Sequence, residues 1–190
     1  MLLMRLVRTV LLVLFPVRAR GVDAVPDSPV ILACNHMSLM DPLIVVCTLR
    51  RKVFFMAKKE LFVPPLGAIL RALGAFPVER GATDLPAVRR SIQVLREGKT
   101  FGIFPQGKRT FKGGAAFLSG VALIAAQSRV PVVPVYIDRR ARLFRPVFIA
   151  FGAPVDLSEM LKKPNSAALK TATGTIEQAV YALAPAQNEC

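Results

Sequence analysis

Residues 35–41 read Asn-His-Met-Ser-Leu-Met-Asp. His36 is the only histidine among 190 residues, and Asp41 follows it five positions later. A carboxylate that holds one imidazole nitrogen leaves the other as a base, the pairing that activates a hydroxyl in acyl transfer. Spacing alone does not deliver that contact. Residues five apart point about 140° apart on a helix and to opposite faces of a strand. The two side chains meet only where the chain bends. The sequence offers such a bend: Val30–Ala33 reads as a buried strand, and Pro42–Leu49 as a helix with Asp41 as N-cap and Pro42 at its first position. The same residues also read as structure alone. Asp41 then caps a helix, Ser38-x-x-Asp41 imitates a capping box, and His36 is incidental.

A second stretch, Phe-Pro-Gln-Gly-Lys-Arg-Thr at 104–110, follows a strand-like run and opens a loop rich in Gly and Lys. Lys108 and Arg109 suit a phosphate, Arg by bidentate hydrogen bonding, and backbone N–H groups around Gly107 add donors. Two further pieces stand out: GAFPVERG at 74–81, which places Arg80 in a short loop, and VPVVPVYI at 130–137. Cys34, Cys47 and Cys190 are odd in number and lack CxxC spacing. With a single histidine beside them they argue against zinc and against a disulfide framework. Cys34 ends an apolar run and reads as a buried cysteine rather than a nucleophile.

In their order and spacing these four stretches resemble the glycerophospholipid acyltransferases, the family of 1-acylglycerol-3-phosphate acyltransferases. That family's blocks are NH-x4-D, a block ending in an acidic residue and Arg, FPEGTR, and a VPVVPV-like strand. The resemblance spans about residues 28–152. It implies His36 as general base and Asp41 as its orienting partner. It implies Arg80, Gln106, Gly107, Lys108 and Arg109 as the groups that bind a phosphate-bearing lysophospholipid acceptor, and Val130–Val135 as part of the acyl-donor region. The donor it implies is an acyl thioester, acyl-CoA or acyl carrier protein; the product is phosphatidic acid, and no metal or cofactor is implied. Two positions depart from the pattern: Gln106 stands where the family usually has Glu, and Lys108 where it usually has Thr. Gln106 loses a charge and gains a donor. It bears on acceptor identity more than on the chemistry, since His36 and Asp41 are intact, and it is the best argument for the two alternatives, acyl transfer to another lysolipid and a non-catalytic lipid-binding protein of the same fold.

The elements that must hold these residues follow from punctuation. Strands are expected at Val30–Ala33, Arg51–Ala57, Phe76–Val78, Thr100–Phe104, Val130–Ile137 and Pro146–Phe151, and helices at Pro42–Leu49, 60–73 broken by Pro64-Pro65, Leu85–Glu97 capped by Asp84, Phe117–Gln127 and 166–183. Their alternation indicates a single α/β domain, residues 21–190, with a mostly parallel sheet flanked by helices. Residues 1–20 are apolar and carry Arg5, Arg8, Arg18 and Arg20. They are too short and too interrupted to span a bilayer and lack a small-residue cleavage site, so they read as a membrane-associating helix, with a helix buried on the domain as the other reading. The net charge of +14 is uneven, with 18 Lys and Arg against 7 Asp and Glu in residues 1–112, and 8 against 5 beyond. Such a field attracts an anionic membrane surface or phosphate esters. Nucleic acid is disfavoured, because the chain has two Tyr, no Trp and none of the aromatic-basic interleaving that marks a recognition surface. The expectation is a peripheral or monotopic protein on the cytoplasmic side of the cell membrane; oligomeric state is left open.

Overall fold

Strands and helices alternate along the chain: helix α1 over residues 9–14, β1 (Val17–Arg20), β2 (Ile31–Cys34), α2 (Asp41–Leu49), β3 (Val53–Lys58), α3 (Leu66–Ala72), β4 (Ala75–Val78), α4 (Leu85–Arg96), β5 (Thr100–Ile103), α5 (Gly120–Ser128), β6 (Val132–Ile137), β7 (Val147–Phe151) and α6 (Ser166–Tyr181). This computed structural model describes residues 9–79, 84–109, 115–138 and 141–185. The seven strands form one sheet in the order β1-β7-β6-β2-β5-β3-β4. All neighbours pair in parallel except β6 and β7. The expected α/β architecture with a mostly parallel sheet is therefore the one observed.

β2 shows why the sheet needs helices on both sides. Its residues are all buried. Ile31 and Ala33 join a core that includes Leu95, Val121 and Ile176, whereas Leu32 and Cys34 join one that includes Ile44 and Val45. Side chains alternate along a strand, so one all-apolar tetrapeptide feeds two cores. Helices α4, α5 and α6 cover the first face, and α2 covers the second. α4 begins where the sequence says it should: the Asp84 side chain accepts a hydrogen bond from the Ala87 N–H at 2.9 Å.

Two expectations are corrected. Residues 17–20 are not helical: they form edge strand β1, with Val17 to Arg20 in parallel register with Val147 to Ala150. Pro16 cannot continue the helical hydrogen-bond ladder, and β7 has an open edge that the chain fills instead. Helix α1 does lie beside the domain, since Leu11, Leu12 and Phe15 line a crevice shared with Met40, Leu43 and Ile44, while Val10 and Val13 stay exposed. The second correction concerns α5, which starts at Gly120 rather than Phe117. Phe117 and Leu118 remain outside regular structure, their N–H groups bonded to the Glu177 carboxylate and the Pro105 carbonyl.

The five parallel strands β2 to β6 bring their carboxyl ends to one edge of the sheet. Segments following those ends hold residues 35–40 and 104–109, the expected chemistry. That edge is where ligands bind in open α/β sheets.

Candidate active site

The bend required between His36 and Asp41 is present. The chain leaves β2 at Cys34, runs without regular structure through Ser38, turns at Leu39 and Met40, and enters α2. His36 Nδ1 lies 2.8 Å from Asp41 Oδ2. The same oxygen accepts the backbone N–H groups of Met37 and Ser38, each at 2.7 Å. Asp41 is not the N-cap expected of it: α2 begins at Asp41 with Met40 in the cap position and no side-chain capping bond, and the fully buried carboxylate organises the preceding turn instead. The capping-box reading is half right, because the carboxylate reaches back to Ser38 N–H, yet Ser38 Oγ accepts from Met40 rather than Asp41. A carboxylate accepts and does not donate, so Nδ1 carries the ring proton and a neutral ring keeps its lone pair on Nε2.

Three further contacts fix the imidazole. Its ring stacks on Phe104, centroids 4.1 Å apart, and Phe104 stacks on Phe55 at 5.4 Å. Gly102 makes that aromatic column possible, since a Cβ there runs into the Phe55 ring. The backbone N–H of His36 donates to Gln106 Oε1 at 2.7 Å. Asn35, just before it, locks onto β6, donating from Nδ2 to the Ile137 carbonyl and accepting from the Ile137 N–H.

His36 sits on a groove of about 710 Å³. Gln106, Gly107 and Lys108 line it together with Glu79, Asp84 and Ser119; Met56, Val88, Ile103, Val121 and Ile124 are among its apolar walls. Gly107 adopts φ 66°, and its N–H closes the turn onto the Phe104 carbonyl at 3.0 Å. Lys108 is exposed. Arg109 is exposed too, but it does not line the groove. Arg80 lies outside the described residues. Gln106, expected to meet substrate, is buried with both polar ends engaged: beyond the bond to His36, its Nε2 donates to Tyr181 Oη at 3.1 Å. Residues 130–135 do not line the groove; their strand portion is core, paired with β2 from behind the site. Among the described residues no cluster of His, Cys, Asp and Glu could hold a metal ion. Cys34 is no nucleophile here, because burial and then the Asp41 charge push its thiol well above the usual range.

A family model for acyltransferases matches residues 16–138. The chain belongs to the acyltransferase family. A 1-acyl-sn-glycerol-3-phosphate acyltransferase of Bacillus subtilis is 29% identical over 164 residues, covering 83% of this chain and 82% of that protein. One of Streptococcus pneumoniae is 33% identical over 168 residues, covering 82% of this chain but only 61% of that protein. The crystal structure of the 1-acyl-sn-glycerophosphate (LPA) acyltransferase PlsC from Thermotoga maritima superposes with a TM-score of 0.68 at 28% identity, covering 94% of this chain and 74% of that one. The matched segment of this acyltransferase holds His36, Asp41 and the Gln106–Arg109 turn. Tyr181, which reaches Gln106 from α6, lies outside it.

Sequence reasoning passed over Asn35, Phe55, Gly102, Phe104 and Tyr181. Asn35 and Phe104 stand inside the quoted motifs, so their position was a usable signal. Tyr181 sits 75 residues from its partner in an ordinary helix, and nothing local marks it.

Proposed function

We propose that this acyltransferase moves a fatty acyl group from an acyl thioester to the free hydroxyl of 1-acylglycerol-3-phosphate, making phosphatidic acid. One observation carries the proposal: an imidazole oriented by a buried carboxylate opens onto a groove lined by both polar and apolar side chains. The apolar length suits an acyl chain, and each buried methylene contributes about 0.8 kcal/mol. Lys108 and the Gly107 turn suit the acceptor phosphate.

In the step itself, His36 Nε2 takes the proton from the acceptor hydroxyl as its oxygen attacks the thioester carbonyl carbon. Asp41 stabilises the imidazolium that forms. The tetrahedral intermediate collapses, the C–S bond breaks, and the proton passes from His36 to the departing thiolate. A base so placed contributes about 10²–10⁴-fold. The acceptor is a lipid, so the enzyme works on an anionic membrane surface as a peripheral or monotopic protein. Among the described residues no helix is long and apolar enough to cross a membrane. Coenzyme A and acyl carrier protein both present the same thioester to this site. The test is a radiolabelled transfer panel that crosses both donors with several lysophospholipids. Preference for lysophosphatidic acid supports the reading; transfer only to acceptors without a terminal phosphate refutes it.

A further inference from the structure

The loop joining β6 to β7 leaves the sheet at the same edge as His36. Ile137, the last residue of β6, is the residue that Asn35 grips from the catalytic turn. Within this loop Leu143 and Phe144 are 58% and 67% exposed, and Phe144 is the most exposed large apolar residue described. Phe144 also holds φ at 56°, the left-handed region that disfavours a bulky side chain. Hydrogen bonds keep it there. Its N–H donates to the Leu14 carbonyl at 2.7 Å, and the Arg145 N–H donates to the Arg142 carbonyl at 3.2 Å. The backbone thus spends its bonds on α1 and on closing the turn, and the ring is left in solvent.

The surroundings say what covers the ring. Arg142 and Arg145 flank the tip, both exposed, and neither pairs with a carboxylate among the described residues. Arg18 and Arg20 stand exposed on β1 alongside β7, and Val13 projects at 62% from the end of α1 that the loop is tied to. Two apolar side chains are too few for a stable protein interface, which buries about 800 Å² per partner. An apolar tip between cations does fit a bilayer interface, where acyl chains lie just beneath anionic phosphates. We propose that Leu143 and Phe144 insert into the interfacial layer of an anionic bilayer, with Arg142 and Arg145 on the lipid phosphates. This second contact, beside α1, fixes the tilt of the domain and sets the edge bearing His36 against the lipid. It rests on the reading that the acceptor is drawn from a membrane.

The chain has no tryptophan, so Phe144→Trp gives a single reporter. With vesicles of phosphatidylglycerol and phosphatidylcholine, its emission shifts to the blue and brominated acyl chains quench it. Ser28→Trp, exposed before β2 at the opposite sheet edge, stays unquenched. Replacing both tip residues by asparagine, which tolerates the left-handed conformation, lowers vesicle partition about ten- to a hundredfold without lowering the melting temperature. An unquenched Phe144→Trp on protein that sediments with vesicles overturns the proposal and leaves the membrane reading standing. Full-length protein that does not sediment at all overturns both, while transfer to a short-chain soluble acceptor still reports on the acyltransferase reading.

Discussion

Oδ2 of Asp41 holds an imidazole and two backbone N–H groups at once, and substitutions separate those roles. Asp41→Asn keeps an oxygen that can accept from the turn but loses the charge that stabilises an imidazolium. Transfer falls about 10²–10⁴-fold with a melting temperature near wild type. Asp41→Ala leaves the Met37 and Ser38 N–H groups without an acceptor, costing about 1–3 kcal/mol in denaturant melts as well. Gln106 tests a different point. Glutamate preserves the acceptor for the His36 N–H and takes a hydrogen bond from the Tyr181 hydroxyl, so Gln106→Glu stays active in the transfer assay. Gln106→Leu severs both bonds and drops activity together with stability. Lys108 lines the groove and Arg109 does not, so Lys108→Ala raises the acceptor KM about tenfold or more, leaves the thioester KM alone, and exceeds Arg109→Ala. Equal effects on both substrates assign Lys108 a structural part. The contact between His36 and Asp41 was legible because residue type and spacing signal it within seven positions. The hydrogen bonds of Gln106 were not legible, because its partners are 70 and 75 residues away, and pairing over that distance exists only after the sheet has formed.

At the scale of elements, the site depends on β5 approaching β3 closely at Gly102, where Phe55 packs and passes the contact through Phe104 to His36. Gly102→Ala forces that column to move. It destabilises the domain by about 1–3 kcal/mol, and it lowers transfer even at temperatures where the protein stays folded; unchanged kcat in folded Gly102→Ala removes the aromatic column from the account. β1 alters how the N-terminus must be tested. Removing residues 1–20 strips a strand from β7 and bares its edge, so lost activity then reports unfolding. Removing residues 1–8 spares β1. It lowers sedimentation with anionic vesicles and transfer to vesicle-borne acceptor, while the melting temperature holds. The helices with caps and strong periodicity, α4 above all, could be read from sequence within a residue or two. β1 could not: the strand is Val-Arg-Ala-Arg with three of four residues exposed, and what makes it a strand is the free edge of β7, 130 positions further on.

Across the whole molecule, the sheet gathers its functional segments at one edge. His36, the groove, the Gln106–Arg109 turn, the apolar loop tip and the end of α1 all lie there. Under the proposed function, such a layout sets the base where it can meet a lipid acceptor at a bilayer surface. Salt weakens the attachment by screening the arginines but does not abolish it, because apolar insertion is not screened. Everything rests on His36 acting as the base. The most direct measurement is single-turnover transfer of a radiolabelled acyl group from its thioester to 1-acylglycerol-3-phosphate, by wild-type protein and by His36→Ala with a matched thermal melt. The account predicts labelled phosphatidic acid from the wild type and a loss of at least about 10²-fold in the variant. Transfer at the wild-type rate by folded His36→Ala contradicts it.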